Sequence, residues 1–257
     1  MLYEGQETTL DSLIATAASG MRSRMETLDL LANNIANAGT VGYKADQESY
    51  NLYFGEKAWN GYNEGRPDAA EMPVLQKSWT DFSQGTLTPT GNSTDLALAS
   101  PGFFAVTGVN GPLYTRSGQF QLSKTGVLET QQGYAVQGVD GNPIKVDPTR
   151  DFQIAPSGEV KQNGAIVGRL KVMTADAAAA GERVGAGYFR FPADARMAPA
   201  ANPDIQQGKV EMSNVTPAYS AVKLVGVMRS FEMLQRAVNM ASDMRKRAVQ
   251  EVARVNS

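Results

Sequence analysis

Residues 31–46 read LANNIANAGTVGYKAD. Three asparagines, Asn33, Asn34 and Asn37, sit among small and apolar residues before Gly39-Thr40-Val41-Gly42 breaks the pattern. Asparagine is a mediocre helix former because its amide competes for backbone hydrogen bonds. Upstream the pattern is regular. Leu10, Ile14, Ala17, Met21, Arg24, Leu28, Leu31, Ile35 and Ala38 follow one another in alternating steps of four and three. That 3.5-residue period is the seam of a coiled coil. Thr9 and Ser12 offer hydroxyl caps near its start, and Gly39 lies where a left-handed residue stops a helix. The asparagines therefore close a long N-terminal helix.

The opposite end has the same character. Thr216 is a candidate N-cap, and Pro217 suits the first helical turn. Val222, Val225, Met228, Phe231, Leu234, Val238, Ala241, Ala248, Val249 and Val252 then predict a helix from about 217 almost to the last residue. Residues 1–38 carry Glu4, Glu7, Asp11, Glu26 and Asp29 against Arg22 and Arg24. Residues 217–257 carry Lys223, Arg229, Arg236, Arg245, Lys246, Arg247 and Arg254 against Glu232, Asp243 and Glu251. An acidic end and a basic end favour pairing, although exposed ion pairs contribute only about 0–1 kcal/mol each.

Between them the signals are β. Short runs such as FFAV (103–106), LYTR (113–116), QFQL (119–122), YAVQG (134–138), PIKV (143–146) and GRLKVM (168–173) are punctuated by turns. The turn dipeptides are Asn110-Gly111, Ser117-Gly118, Thr125-Gly126, Asp140-Gly141, Ser157-Gly158 and Asn163-Gly164. Tight glycine turns at this spacing argue for antiparallel strands. The expected fold is α+β: long N- and C-terminal α-helices packed as a coiled coil, flanking an inserted antiparallel β-rich domain, barrel or sandwich. Residues 1–40 and 217–257 form a helical core domain. Residues 41–90 form an extended connector, and 91–208 the outer β-rich domain with a Pro-rich return loop at 192–207.

The composition of the 257 residues excludes several chemistries. Net charge is −2, so no global pull toward nucleic acid arises. Cysteine and histidine are absent, which removes disulfides, thiolate sites, the usual zinc ligands and the commonest general base. No apolar run approaches a membrane span, and the N-terminus has neither the basic nor the apolar region of a cleaved signal peptide. Gly42-Tyr43-Lys44 lacks the glycine-rich loop of a phosphate site. Asp140-Gly141-Asn142 and Asn92–Asp95 lack EF-hand spacing and read as turns. Nothing positions two carboxylates for hydrolysis. The methionines of the helices (Met21, Met25, Met228, Met233, Met240, Met244) read as packing residues, pliable enough to meet non-identical neighbours.

ATAASGM (15–21) followed by LANNIANAGTVGYKAD (31–46) resembles the N-terminal signature of the bacterial flagellar axial proteins. Its signature positions here are Gly20, Asn34, Asn37, Thr40, Gly42, Tyr43 and Lys44. DLALASPGFFAV (95–106) and LYTRSGQFQLSKTGVLET (113–130) resemble the family's middle block. KVEMSNV (209–215) and VGVMRSFEMLQRAV (225–238) resemble its C-terminal block. IVGRLKVM (166–173) and GYFRF (187–191) are most similar to the proximal-rod subfamily, with the distal rod close by. Residues 1–9 and 47–80 depart from both.

The resemblance implies a structural subunit of the basal-body rod in the periplasm; the alternatives are another flagellar axial protein, of distal-rod or hook type, or a secreted monomeric β-rich binding protein. Such a subunit is exported unfolded by the flagellar type III apparatus, without a cleaved signal peptide. It stacks with copies of itself and with other rod proteins into a hollow shaft. No enzyme activity, cofactor, metal, nucleic acid, membrane insertion or small-molecule substrate is implied. The expected subunit-packing residues are Leu10, Ile14, Ala17, Met21, Leu28, Leu31, Asn33, Asn34, Ile35 and Asn37 on the first helix. On the last they are Val225, Met228, Phe231, Leu234 and Val238. The three asparagine amides, each able to donate and accept, are expected to fix register between neighbours.

Overall fold

A computed structural model describes the backbone of residues 4–54, 71–175, 181–185, 187–192 and 195–255. A helix opens the chain, α1 (Glu4–Ala36), and another closes it, α2 (Pro217–Val255). At 33 and 39 residues they are about 50 and 60 Å long. The first helix begins before the expected caps at Thr9 and Ser12. It ends without using Gly39 as a left-handed stop; the positive φ falls on Gly42 (70°). The last helix starts at Pro217, where the proline's missing N–H costs nothing.

The middle is a chain of short strands. β1 (Asp46–Phe54) and β2 (Glu71–Thr80) form a two-stranded sheet. They stand in what reads from sequence as an irregular connector, whose residues 55–70 lie outside the described structure. Then follow β3 (Leu87–Pro89), β4 (Leu96–Leu98), β5 (Phe103–Gly108), β6 (Gly111–Thr115), β7 (Phe120–Leu122) and β8 (Leu128–Thr130). β9 (Phe152–Ile154), β10 (Glu159–Gln162), β11 (Ala165–Arg169) and β12 (Val172–Ala175) continue the chain. β13 (Glu182–Val184), β14 (Tyr188–Arg190), β15 (Met197–Pro199), β16 (Ile205–Gln207) and β17 (Lys209–Glu211) complete it.

A closed barrel is not formed. The largest sheet runs β13-β14-β6-β5-β12-β15 with two free ends, and the remaining strands make small separate sheets. Strands of three residues between glycine turns cannot supply the long continuous staves that closure needs. YAVQG and PIKV, expected as strands, contribute only isolated bridges at residues such as Val136 and Lys145.

Where strands form, the burial explains them. β5 is covered on both faces. Phe104 packs edge-on against Phe120 at 5.2 Å within the main core, while Phe103 turns to Phe189 and Phe191. β10 and β11 meet through Asn163-Gly164, both at positive φ (52° and 80°), the conformation a two-residue hairpin requires. The last strands close the circuit: β16 pairs with β4 and β17 with β3. The end of the β region thus returns to its beginning.

The chain divides into two compact units. One gathers the two terminal helices with β1 and nearly all of β2. The other holds residues 36–45 and 80–216.

Candidate functional site

Within the second unit, the signature segment is enclosed. Gly42 is at positive φ, and a Cβ there would lie 2.2 Å from the Ser117 amide nitrogen, so no other residue fits. Its N–H donates to the Glu211 carbonyl at 2.7 Å. Tyr43 and Lys44 are fully buried. The Arg183 guanidinium stacks 4.7 Å from the Tyr43 ring centroid and donates to the Lys44 carbonyl at 2.6 Å.

Lys44 Nζ donates to Glu211 Oε1 and to the Ser83 carbonyl, each at 2.6 Å. Glu211 Oε1 also accepts from the Gly85 N–H at 2.8 Å, and Oε2 from Arg116 Nη1 at 3.4 Å. Arg116 Nη1 in turn donates to the Ser100 carbonyl at 3.0 Å. Burial pushes the Lys44 ammonium below its ordinary range, against the attraction of Glu211, and burial lowers Arg116 likewise. One carboxylate therefore bridges two buried cations from distant parts of the chain. Asn214 extends the arrangement. Its Oδ1 accepts from the Ala45 N–H at 2.7 Å, and its Nδ2 donates to the Asp81 carbonyl at 2.8 Å.

The three asparagines have separate roles. Asn34, buried in the helical unit, holds the backbone of Asp46 at both polar groups: its amide donates to the carbonyl at 2.8 Å and accepts from the N–H at 3.0 Å. Two of the amide's hydrogen bonds are thus made within the chain. Asn37 accepts from the Thr40 hydroxyl, and its carbonyl from the Thr40 N–H, which turns the chain after the helix. Asn33 is exposed.

Burial within the chain sorts the helix faces. On α1 the buried stripe is Ala17, Gly20, Ser23, Thr27, Leu31 and Asn34. Most of these are small, Leu31 being the large apolar member, and Ile14, Met21, Leu28 and Ile35 are half-buried beside them. Leu10 lies in the helix, with its side chain outside the described residues. On α2 the buried positions are Ser220, Val227 and Ala241, with Phe231, Leu234 and Val238 half-buried along the same line. Val225 and Met228 are not on it. Steps of three advance only 300° around a helix, so the run from Val222 drifts off the face.

What remains is an exposed apolar surface on α2. Tyr219, Val222, Val225, Met228, Met233, Met240 and Met244 are each 49–75% exposed. Among the described residues no cluster of carboxylates could hold a metal, and no helix is long and apolar enough to cross a membrane.

Comparison with known proteins agrees. A model of the flagella basal body rod protein family matches residues 14–44. One of the flagellar hook protein FlgE/F/G D1 domain matches 97–162, and one of the flagellar basal body rod FlgEFG C-terminal region matches 206–251. The chain is 28% identical to the basal-body rod protein FlgF of Caulobacter vibrioides over 96% of this chain and 100% of that protein. It is 30% identical to FlgF of Mesorhizobium japonicum over 86% of this chain and 89% of that protein. It is also 28% identical to FlgG of Bacillus subtilis, covering 88% and 93% of the two chains. The chain belongs to the flagellar basal-body rod protein family, and it is a structural rod subunit.

Proposed function

We propose that this subunit stacks helically with copies of itself and with other rod proteins into a hollow shaft that transmits torque and passes exported subunits. The terminal helices pair as a coiled coil in the inner core, and the β-rich domain faces outward. The chain reaches the periplasm unfolded through the flagellar type III apparatus, and it performs no catalysis. The observation that carries this reading is the apolar surface of α2, with Met233, Met240 and Met244 about 60% exposed. Burying one such side chain against a neighbour is worth about 1.5–3 kcal/mol. Unbranched methionine adapts to neighbours that are not identical. Among rod proteins, IVGRLKVM (166–173) and GYFRF (187–191) favour the proximal FlgF type over the distal FlgG type.

The test is to express the chain in bacteria lacking FlgF or lacking FlgG, and to probe isolated basal bodies for it. Restored motility in the first strain alone supports the proximal assignment; restoration in the second alone reverses it. Secretion without incorporation in either strain contradicts a rod role.

A further inference from the structure

Residues 42–45 of the signature segment draw most of their partners from distant parts of the chain, although the Tyr43 N–H donates locally to the Thr40 carbonyl. The Gly42 N–H goes to residue 211, the Ala45 N–H to Asn214, and the Ala45 carbonyl receives the Asp81 N–H. The Lys44 carbonyl accepts from Arg183, and the Lys44 ammonium donates to the Ser83 carbonyl and to Glu211. The partners are separated from it by up to 169 residues. Glu211, itself fully buried, likewise serves Lys44, Gly85 and Arg116 at once. A lysine cannot be taken out of water before its counter-charge arrives, because an unpaired buried ammonium is far too costly. Nor can Glu211 be enclosed before its cations.

We propose that Lys44, Glu211 and Asn214 form a closure latch: residues 42–45 and 81–85 become ordered only when residues 211–214 dock, in one cooperative event. The latch makes the N-terminal signature a sensor of the C-terminal end of the β region. A chain whose residue 211 is still withheld cannot fix its own signature segment. That suits a protein kept unfolded in transit, a consequence that rests on the proposed export route; the latch itself does not depend on it. Strands such as β10 and β11, joined by a local hairpin, have no part in this coupling.

The experiment is amide hydrogen exchange on the full chain, comparing the unmodified protein with Glu211→Ala, Asn214→Ala and the triple variant Lys44→Met/Arg116→Met/Glu211→Met. Glu211→Ala is expected to accelerate exchange at Gly42, Ala45, Asp81 and Gly85 together, by about 100-fold or more, while the β10–β11 hairpin keeps its rate. Asn214→Ala is expected to release Ala45 and Asp81 in the same way. The triple variant, which removes Glu211 together with both cations that face it, is expected to regain protection at all four amides. Three results overturn the latch. One is faster exchange confined to residues 209–213, and another is uniform acceleration through the whole β unit. The third is a triple variant whose four amides stay as unprotected as in Glu211→Ala or, if that single variant does not fold, as in an unfolded chain.

Discussion

Lys44 shows what a signature residue does when it is not a contact for another molecule. In sequence, Gly42-Tyr43-Lys44 stands out only as part of the signature, without the glycine-rich loop of a phosphate site. In the fold, Tyr43 and Lys44 are fully buried and Gly42 touches Ser117 backbone. Nothing in a single sequence marks a lysine as interior, since its burial depends on Glu211, 167 residues away. Lys44→Met alone leaves Glu211 paired with Arg116 but removes the hydrogen bonds to Glu211 and to the Ser83 carbonyl, and is expected to lower unfolding free energy by about 1–3 kcal/mol in denaturant titration. The asparagines separate at the same scale. Asn34→Ala strips the Asp46 backbone of two hydrogen bonds and is expected to destabilise the helical unit by about 1–3 kcal/mol. Asn33→Ala, on the exposed side, is expected to stay within about 0.5 kcal/mol of the parent in the same measurement. Equal effects would mean that the Asp46 clamp contributes nothing.

Helices were the most legible elements, because a 3.5-residue period over many turns leaves little ambiguity. Their inward faces were less so. The α1 stripe of Ala17, Gly20, Ser23 and Thr27 is small and partly polar, so hydropathy points to the flanking Met21 and Leu28 instead. The hairpin at Asn163-Gly164 was readable from its dipeptide, whereas the sheet order, set by returns such as β16 to β4, was not. Two substitutions on α2 test the distinction between its faces. Val227→Asp places a carboxylate on the buried line and is expected to unfold or loosen the helical unit, seen as lost helical circular dichroism. Met233→Asp/Met240→Asp lies on exposed positions and is expected to leave the isolated protein's spectrum unchanged while abolishing incorporation into rods. A spectrum altered equally by both would remove the case for a free outer face.

For the whole molecule, the family match and the architecture agree on a subunit whose chain ends and β region fold as two units and whose function is assembly. The apolar surface of α2 and the enclosed latch make opposite claims about where neighbours bind: the first is to be covered by another subunit, the second never. The most direct measurement is an electron cryo-microscopy map of isolated basal bodies at side-chain resolution, from cells making this chain. The account predicts density for it in the rod, with Met233 and Met240 in van der Waals contact with an adjacent subunit and Lys44 enclosed against Glu211 of its own chain. A rod without this chain, or one in which those methionines face solvent, would contradict it.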